Sequence, residues 1–262
     1  MRARRLSWAG VEIETRGRRL LIDAMDDVAP LKPLLGAPLW PPMPVPTWDG
    51  VTPSDALVTH RHSDHYDPQA LRRALPPGGR VFCPLEIAPE LEAAGLNARG
   101  VAAWETVHPP GVGDIAITAV PAVDWRCDAQ VSWVVEAGGV RVFHGGDTIW
   151  HGSWWRIAER FPAFDAVFLP ANGVIARLEG MEPSNLPATL TPRQAAIAAR
   201  LLKAQRFCPI HYGQFDQSET YRQHPDIDVA LRDAAAAEGV PLIKAKDGEV
   251  VLGSGAACSG IE

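Results

Sequence analysis

The sequence has no CxxC pair and no apolar run long enough to cross a membrane. Its four cysteines, Cys83, Cys127, Cys208 and Cys258, are widely spread, which argues against a disulfide framework and favours a reduced, cytoplasmic protein. A membrane helix needs about 20 consecutive apolar residues, and no window approaches this length. The basic opening MRARRLSWAG is not followed by an apolar stretch, so we expect neither a secretory signal nor a membrane span.

An excess of positive charge is also missing. The chain has 25 lysines and arginines against 31 aspartates and glutamates, with a net charge of −6. This balance disfavours a general nucleic-acid binder, which usually carries a basic face. It neither requires nor forbids a dimer, so the oligomeric state stays undetermined.

The apolar residues that are present follow the pattern of a globular α/β protein. A hydrophobic content of 47% over 262 residues is typical of a chain near the upper size limit for one core. The segments VEIET and RRLLID predict a hairpin that turns at Arg16. In TLTPRQAAIAARLLKAQ, Thr191, Pro192 and Gln194 form the pattern of a helix capping box. Strands with outer helices in two similar halves predict a four-layer α/β arrangement, in one domain over residues 1–262.

Prolines are concentrated in residues 30–53. Proline fixes φ and removes a backbone donor, so we expect neither a helix nor a central strand in this segment. A loop of this length is often a lid or a binding loop, and a surface wrap without function is the alternative. We expect PLWPPMPVPTW, residues 38–48, to form an apolar roof over a cleft that suits a small organic substrate.

Side chains that bind metals follow four apolar, strand-like segments. The segments carry His60, His62, Asp64 and His65 in THRHSDH, Asp124 and Asp128 in AVPAVDWRCD, His144 and Asp147 in FHGGDT, and His211 in CPIHYG. Loops at one rim of a sheet are held by a rigid scaffold, so these side chains can meet there although they lie far apart in sequence. Neutral imidazole and carboxylate suit zinc, manganese and iron, and no thiolate is needed.

Each of these residues also has a structural interpretation. GGDT could be a capping turn that uses Asp147, and His211 alone could be a core histidine with a satisfied hydrogen bond. His144 lies inside its strand and is expected to point away from the rim. The density of THRHSDH is poorly explained by chance, because His60 and His62 can point the same way from an extended segment. We therefore predict a site for one or two divalent ions, zinc in the first place and manganese or iron next.

The order of these segments resembles the metallo-β-lactamase superfamily. HRHSDH matches its HxHxDH motif, GGDT resembles its later GDT segment, and PIHYG resembles the segment of its last ligand histidine. RFPAFDAVFLP, TPRQA and PIHYGQF extend the resemblance to the branch that holds ascorbate-6-phosphate lactonase and N-acyl-phosphatidylethanolamine phospholipase D. The resemblance implies an αββα sandwich of two β-sheets, usually with two metal ions at one edge.

The resemblance also implies ligand roles, with one departure. Six residues would be ligands: His60 and His62 for the first ion, Asp64, His65 and His211 for the second, and Asp147 as a bridge. The family normally supplies a histidine as the third ligand of the first ion, where this chain has Asp124. A carboxylate there favours manganese, iron or magnesium more than three histidines would. Asp128 is the alternative ligand, and a weak first site with one bound ion is the alternative arrangement.

The predicted function is a metal-dependent hydrolase of a small ester, lactone or phosphoester, acting through a hydroxide held by the metal. Asp64 would orient that hydroxide or receive its proton. His151 would protonate a leaving group or donate a hydrogen bond to the substrate, and capping of the following turn is its alternative role. Trp150 and Tyr212 are expected to contact the substrate together with His151.

Two other functions stay open. Asp124 motivates a non-hydrolytic metalloenzyme, or a protein that binds a metal or ligand without turnover. Action on RNA or DNA as a nuclease or phosphodiesterase, known in the superfamily, is disfavoured by the acidic balance and by the absence of a long inserted domain. We therefore expect a small-molecule substrate and no nucleic-acid partner.

Overall fold

The computed structural model describes residues 1–111, 114–215 and 219–253, so Cys258 lies outside the described residues. Within these ranges the strands are β1 (Arg2–Arg5), β2 (Val11–Thr15), β3 (Arg18–Ile22), β4 (Ser54–Leu57), β5 (Val81–Pro84), β6 (Ala98–Val101), β7 (Thr106–Val107), β8 (Ala116–Pro121), β9 (Val131–Ala137), β10 (Val140–His144), β11 (Ala166–Pro170), β12 (Ile175–Ala176), β13 (Phe207–Ile210), β14 (Tyr221–Arg222) and β15 (Val250–Leu252). The helices are α1 (Lys32–Leu35), α2 (Pro68–Ala74), α3 (Ala88–Ala93), α4 (Trp154–Arg160), α5 (Pro192–Leu201) and α6 (Ile227–Glu238).

The strands form two large sheets whose directions bring several strand ends to one edge. The first sheet has the order β15-β1-β2-β3-β4-β5-β6, and the second has the order β13-β11-β10-β9-β8-β7. In the second sheet β10, β11 and β13 are parallel. Strand β9 is antiparallel to both β8 and β10, so β8 also runs in their direction. The carboxyl ends of β8, β10, β11 and β13 therefore lie on the same edge.

The core is organised in layers around these sheets. One cluster of buried residues lies between the two sheets and joins Ile13 of the first to Phe168 of the second. The outer face of the first sheet packs on α2 and α3 through residues such as Leu71. The outer face of the second sheet packs on α4, α5 and α6 through residues such as Ile157 and Leu231. Each such side chain contributes about 1.5–3 kcal/mol when it is buried. The predicted four-layer αββα sandwich is confirmed.

Local sequence signals explain two of the elements directly. The hairpin between β2 and β3 turns at Arg16 and Gly17, both with positive φ, as a tight two-residue turn requires. The helix α5 begins at Pro192 after Thr191, whose hydroxyl accepts from the Gln194 N–H at 3.2 Å, while the Gln194 side chain accepts from the Thr191 N–H at 3.0 Å. The predicted hairpin and capping box are both confirmed.

The proline-rich segment differs from its prediction at one point. A 3₁₀ turn over Ala29–Leu31 leads into one α-helical turn, α1, over Lys32–Leu35, where we expected no helix. Pro33 lies in the first turn of α1, and proline is tolerated there because that N–H has no partner within the helix. No helix of the described ranges is both long enough and apolar enough to cross a membrane. The division of residues 1–262 into one domain with two similar halves stays a prediction.

Candidate metal centre

The loops that follow β4, β8, β10 and β13 bring seven side chains together at one edge of the sandwich. They form two groups, which we call the first cluster (His60, His62, Asp124 and Asp147) and the second cluster (Asp64, His65 and His211). Within each cluster one potential ligand atom per residue lies within 4.8 Å of all the others. These are the seven residues that the sequence predicts as ligands, and Asp128, the alternative to Asp124, is in neither cluster. Their role as ligands stays a prediction.

The first cluster combines two imidazoles with two carboxylates. His60 Nε2 lies 2.9 Å from His62 Nδ1 and 3.6 Å from Asp147 Oδ2. Asp124 Oδ2 lies 3.9 Å from His62 Nδ1. Burial, together with the nearby His65 and His62, lowers the pKa of His60 well below its usual value. His60 is therefore neutral, which is the form of imidazole that binds a metal.

The second cluster is arranged around Asp64. Its Oδ2 lies 3.1 Å from His211 Nε2 and 3.5 Å from His65 Nε2. Burial alone would raise the pKa of Asp64, but His65 and the hydrogen bond from His211 hold it well below its usual value. Burial would lower the pKa of His65, yet Asp64 and Asp23 raise it to about 9. A cation bound at this cluster would displace the proton of His65.

Each of the four histidines has a partner at its other ring nitrogen. The pairs are His60 Nδ1 with Thr59 Oγ1 at 3.0 Å, His62 Nε2 with Asp128 Oδ2 at 3.0 Å, His65 Nδ1 with Asp23 Oδ2 at 2.8 Å, and His211 Nδ1 with Asn172 Nδ2 at 3.2 Å. Acceptors such as Thr59, Asp128 and Asp23 orient the ring of a metal-binding histidine and select its tautomer. Asn172 Nδ2 is a donor, so it orients the His211 ring but leaves the His211 proton on Nε2, toward Asp64.

The partners of the first two histidines determine where their lone pairs point. The Thr59 hydroxyl donates to Asp23 Oδ2 at 2.6 Å, so it accepts a hydrogen bond from His60 Nδ1–H. His60 Nε2 is then left with its lone pair toward the first cluster. His62 donates from Nε2 to Asp128 Oδ2, so its Nδ1 faces the cluster. His60 Nε2 and His62 Nδ1 lie 2.9 Å apart, close enough for one cation to bind both.

Unsatisfied polar atoms also fit bound cations. Asp124 Oδ2, Asp147 Oδ1 and His65 Nε2 are buried and have no hydrogen-bond partner among the described residues. Such atoms are costly to bury, and all three belong to the two clusters. The donor set of imidazole and carboxylate suits zinc, manganese or iron. The residues present therefore fit divalent ions in both clusters.

Backbone conformations at the edge deliver two of these side chains. Gly146 precedes Asp147 and has φ +66°, and a Cβ there would lie 3.0 Å from Thr59 Oγ1. Only glycine permits this close approach without strain. His211 has φ +58°, and its ring packs on Trp8 with centroids 4.2 Å apart. Trp8 Nε1 also donates to Asp64 Oδ2 at 3.0 Å, so one buried tryptophan positions two members of the second cluster.

A cavity of about 390 Å³ opens onto both clusters. His62, Asp64, Asp147 and His211 form its polar side, and apolar residues form much of the rest. The predicted roof was wrong in its position: the proline-rich segment lines this cavity through residues 30–35, not through residues 38–48. The tryptophans of that stretch are engaged elsewhere, since Trp40 Nε1 contacts Asp247 at 3.3 Å and Trp48 Nε1 donates to Thr52 O at 3.1 Å.

Three residues predicted to contact the substrate do not line this cavity. His151 Nδ1 accepts from the Ser153 N–H at 3.2 Å, and burial lowers the pKa of His151 to about 4. Both His151 and Trp150 stack on Trp154, with centroids 4.9 and 5.9 Å apart. Tyr212 lies beneath the Arg5 guanidinium in a separate cavity. The structure therefore gives His151 the turn-capping contact that was its alternative role.

The sequence did not single out the residues that support the clusters. Asp23, Thr59 and Asn172 are buried and contact three of the four histidines. Asp23 ends the predicted strand RRLLID, and Asn172 comes two residues after the predicted strand FDAVFLP. A polar residue at or just beyond the end of an apolar strand was therefore the available signal, and it also identified the ligands.

Comparisons with known proteins define the family. Residues 18–212 match the family model described as a beta-lactamase superfamily domain, and the chain belongs to this superfamily. A relative from Pyrobaculum arsenaticum, named UPF0173 metal-dependent hydrolase, is 28% identical over 94% of this chain and 98% of its own length. A relative of the same name from Thermococcus onnurineus is 27% identical over 60% of this chain and 65% of its own length.

A solved structure shares the fold. The isothiocyanate hydrolase from Delia radicum gut bacteria superposes with a TM-score of 0.70 at 18% identity, over 97% of this chain and 100% of that one. The predicted superfamily is confirmed, and the narrower branch stays a prediction. The predicted enzyme class, a metal-dependent hydrolase, is confirmed by the curated relatives, whose names give no substrate.

Proposed function

We propose that this metal-dependent hydrolase acts on a small, largely apolar ester or lactone. The observation that carries the proposal is the cavity that opens onto both clusters, with Leu31, Leu35 and Val174 among its apolar residues. At roughly 30 Å³ per water-sized group, its volume of about 390 Å³ accommodates about a dozen non-hydrogen atoms. Such a pocket suits a compact organic molecule better than a polymer.

The proposed chemistry follows from the ligands that the two clusters offer. Divalent ions held by these residues would supply an activated water at neutral pH and would polarise the oxygen that gains charge. In the overall reaction water adds across the acyl C–O bond and gives a carboxylic acid and an alcohol. Asp64 lies on the polar side of the cavity with its orientation fixed by the Trp8 N–H. We assign to Asp64 the role of orienting the attacking water and receiving its proton.

The choice of metal is expected to differ between the clusters. The first cluster has two carboxylates for two imidazoles, whereas the second has one carboxylate for two imidazoles. Oxygen ligands favour harder ions. With Asp147 counted in the first cluster, we therefore propose that the first cluster accepts manganese or iron more readily than the second, and that the second favours zinc.

The sequence and the residues that line the cavity also favour some substrate classes over others. Lactones are supported by the resemblance of RFPAFDAVFLP and PIHYGQF to the branch that holds ascorbate-6-phosphate lactonase. Phosphoesters are less well supported, because apolar residues form much of the cavity wall and Arg61, next to His62, is paired with Asp128 at 2.9 Å. A non-hydrolytic reaction, the alternative that Asp124 raised, is disfavoured by the names of the relatives.

The test combines metal loading with a substrate panel. The protein is stripped with a chelator, reloaded with zinc, manganese or iron, and assayed with esters, lactones and phosphoesters. We expect hydrolysis of esters or lactones that falls by at least about 100-fold in His62→Ala. His224→Ala is the matched control, since His224 lies outside this cavity. Absence of turnover with every ion, or equal turnover in His62→Ala, would contradict the proposal.

A further inference from the structure

The mouth of the cavity carries charged side chains, although the walls of the cavity are largely apolar. Arg61, Glu90 and Arg126 all line it. Arg61 is neutralised by two carboxylates, with Nη2 at 2.9 Å from Asp128 Oδ1 and Nη1 at 3.8 Å from Glu90 Oε2. These contacts leave Arg61 little capacity to bind a further anion.

Arg126 differs from Arg61 in having no such partner. Its backbone N–H donates to Asp124 Oδ1 at 2.6 Å, which fixes the start of the side chain at the border of the first cluster. Within the part of the chain that the structure describes, its exposed guanidinium has no ion pair or hydrogen bond. A guanidinium with free donors beside an apolar wall recognises a planar carboxylate through two parallel hydrogen bonds.

We propose that the preferred substrate is an ester or lactone whose apolar body ends in a carboxylate, and that Arg126 binds this carboxylate at the cavity mouth. The inference rests on the proposed ester hydrolysis and names its substrate class. The apolar body contacts residues such as Leu31, Leu35 and Val174, the scissile group lies at the two clusters, and the anionic end lies at Arg126. A cationic tail is disfavoured, because Glu90 is already engaged by Arg61.

The test uses three methyl esters of equal chain length that differ at one end. Methyl hexanoate ends in a methyl group, monomethyl adipate in a carboxylate and methyl aminovalerate in an ammonium group, and each fits a space of about a dozen non-hydrogen atoms. In each case water adds across the acyl C–O bond and releases methanol. The ratio of kcat/KM for monomethyl adipate to that for methyl hexanoate is measured in the metal-loaded protein, in Arg126→Gln and in Arg232→Gln. Arg232 is the matched control, an exposed arginine of α6 outside the cavity.

We expect the ratio to exceed one in the wild type, to fall about five-fold in Arg126→Gln, and to be retained in Arg232→Gln. Arg126→Lys should keep part of the preference, because the positive charge remains. Methyl aminovalerate should be the poorest of the three esters. A ratio at or below one, or a ratio that Arg126→Gln does not change, would overturn the inference.

A calorimetric measurement separates this inference from the proposed function. Adipate is titrated into the wild type and both glutamine variants under the same metal load. If none of the esters is hydrolysed but adipate binds about five-fold more weakly to Arg126→Gln than to Arg232→Gln, the anion site stands and ester hydrolysis fails. If the esters are hydrolysed and adipate binds all three proteins equally, the anion site fails and ester hydrolysis stands. If the adipate carboxylate binds at the clusters and not at Arg126, adipate also binds all three proteins equally, and the anion site fails.

Discussion

The two clusters share one edge of the sandwich but differ in how the protein holds them. In the second cluster His65 is paired with Asp23, both fully buried, and His211 packs against Trp8 in the core. In the first cluster the His62 side chain is 26% exposed, and its partner Asp128 is 20% exposed.

This difference separates a preorganised site from an adaptable one. Buried partners fix the rings of the second cluster before any ion arrives, so little ordering remains to oppose binding. In the first cluster Asp128, the partner of His62, competes with water and lies on a loop that also reaches the cavity mouth. We therefore expect the second cluster to bind its ion more tightly and the first to exchange its ion more readily.

Removal of one ligand from each cluster should give the largest effect. His211→Ala should lower the affinity of the second cluster by more than about 100-fold, whereas His62→Ala should affect chiefly the first cluster. After exhaustive dialysis, elemental analysis should find about one ion per chain in His62→Ala and less in His211→Ala. If His62→Ala were the more depleted protein, the assignment of the tighter site to the second cluster would be wrong.

Changes to the supporting carboxylates test the same contrast without removing a ligand. Asp23→Asn should weaken metal binding about 100-fold, because buried Asp23 contacts His65 directly and His60 through Thr59. Asp128→Asn should weaken it only about 10-fold, because water can replace the exposed partner. Competition with a chromophoric chelator measures both constants. Equal losses of metal affinity in the two variants would show that burial of the supporting carboxylate does not determine how tightly each cluster binds its ion.

Replacement of Asp124 tests whether its carboxylate sets the metal preference of the first cluster. Asp124→His should move the preference from manganese toward zinc by on the order of 10-fold, since imidazole is the softer ligand. Metal competition followed by elemental analysis gives the ratio directly. An unchanged ratio would mean that Asp124 does not contact the ion.

The close approach at Gly146 should be visible as a loss of stability. Gly146→Ala combines a left-handed φ with a contact of 3.0 Å at Thr59, and we expect it to lower the free energy of unfolding by about 3 kcal/mol. Gly139→Ala has a similar φ of +78° but open space around the added methyl group, so it should cost only about 1 kcal/mol. Denaturant titration of both metal-free variants measures the two free energies of unfolding. Equal losses in the two variants would show that the contact with Thr59 adds no destabilisation.

The smallest expected effect is a change in the alkylation rate of Cys127, a thiol next to the first cluster, when metal binds. Cys127 is exposed and its N–H donates to Asp124 O at 3.0 Å. Burial raises the pKa values of Cys83 and Cys208 to about 12, so these thiols should react far more slowly with iodoacetamide at neutral pH. Peptide mass analysis should show Cys127 alkylated before both, and bound metal should slow its alkylation by about two-fold as the loop becomes ordered. Labelling of Cys127 at the same rate with and without metal would indicate that the loop does not respond to the ion.

Much of the centre could be predicted because its residues lie in short, dense segments. The spacing of THRHSDH identified four candidate ligands, and apolar strands before Asp147 and His211 placed both at an edge. The choice between Asp124 and Asp128 could not be predicted, because both lie in one loop. The structure distinguishes them. Asp124 Oδ1 accepts hydrogen bonds from the N–H groups of Arg126 and Asp128, and this tight turn places the Asp128 side chain against Nε2 of His62.

Other misses arose where tertiary packing decides the environment of an apolar residue. Composition showed that the chain is rich in tryptophan, but it did not show which surface Trp40 and Trp150 would each cover. Trp150 packs on Trp154 beside α4, and Trp40 contacts Asp247 near the C-terminal end of the described chain. Leu34 and Leu35 of α1 instead contribute to the cavity wall, and the proline pattern did not predict this helical turn.

The connection between β8 and β9 spans only residues 122–130, yet it supplies a carboxylate of the first cluster, the outer partner of His62 and a charge at the cavity entrance. Because one short loop carries all three, the proposed metal preference and the proposed substrate preference depend on the same residues. A graft of this loop from a relative would therefore exchange both properties at once, whereas single substitutions within it would leave them mismatched.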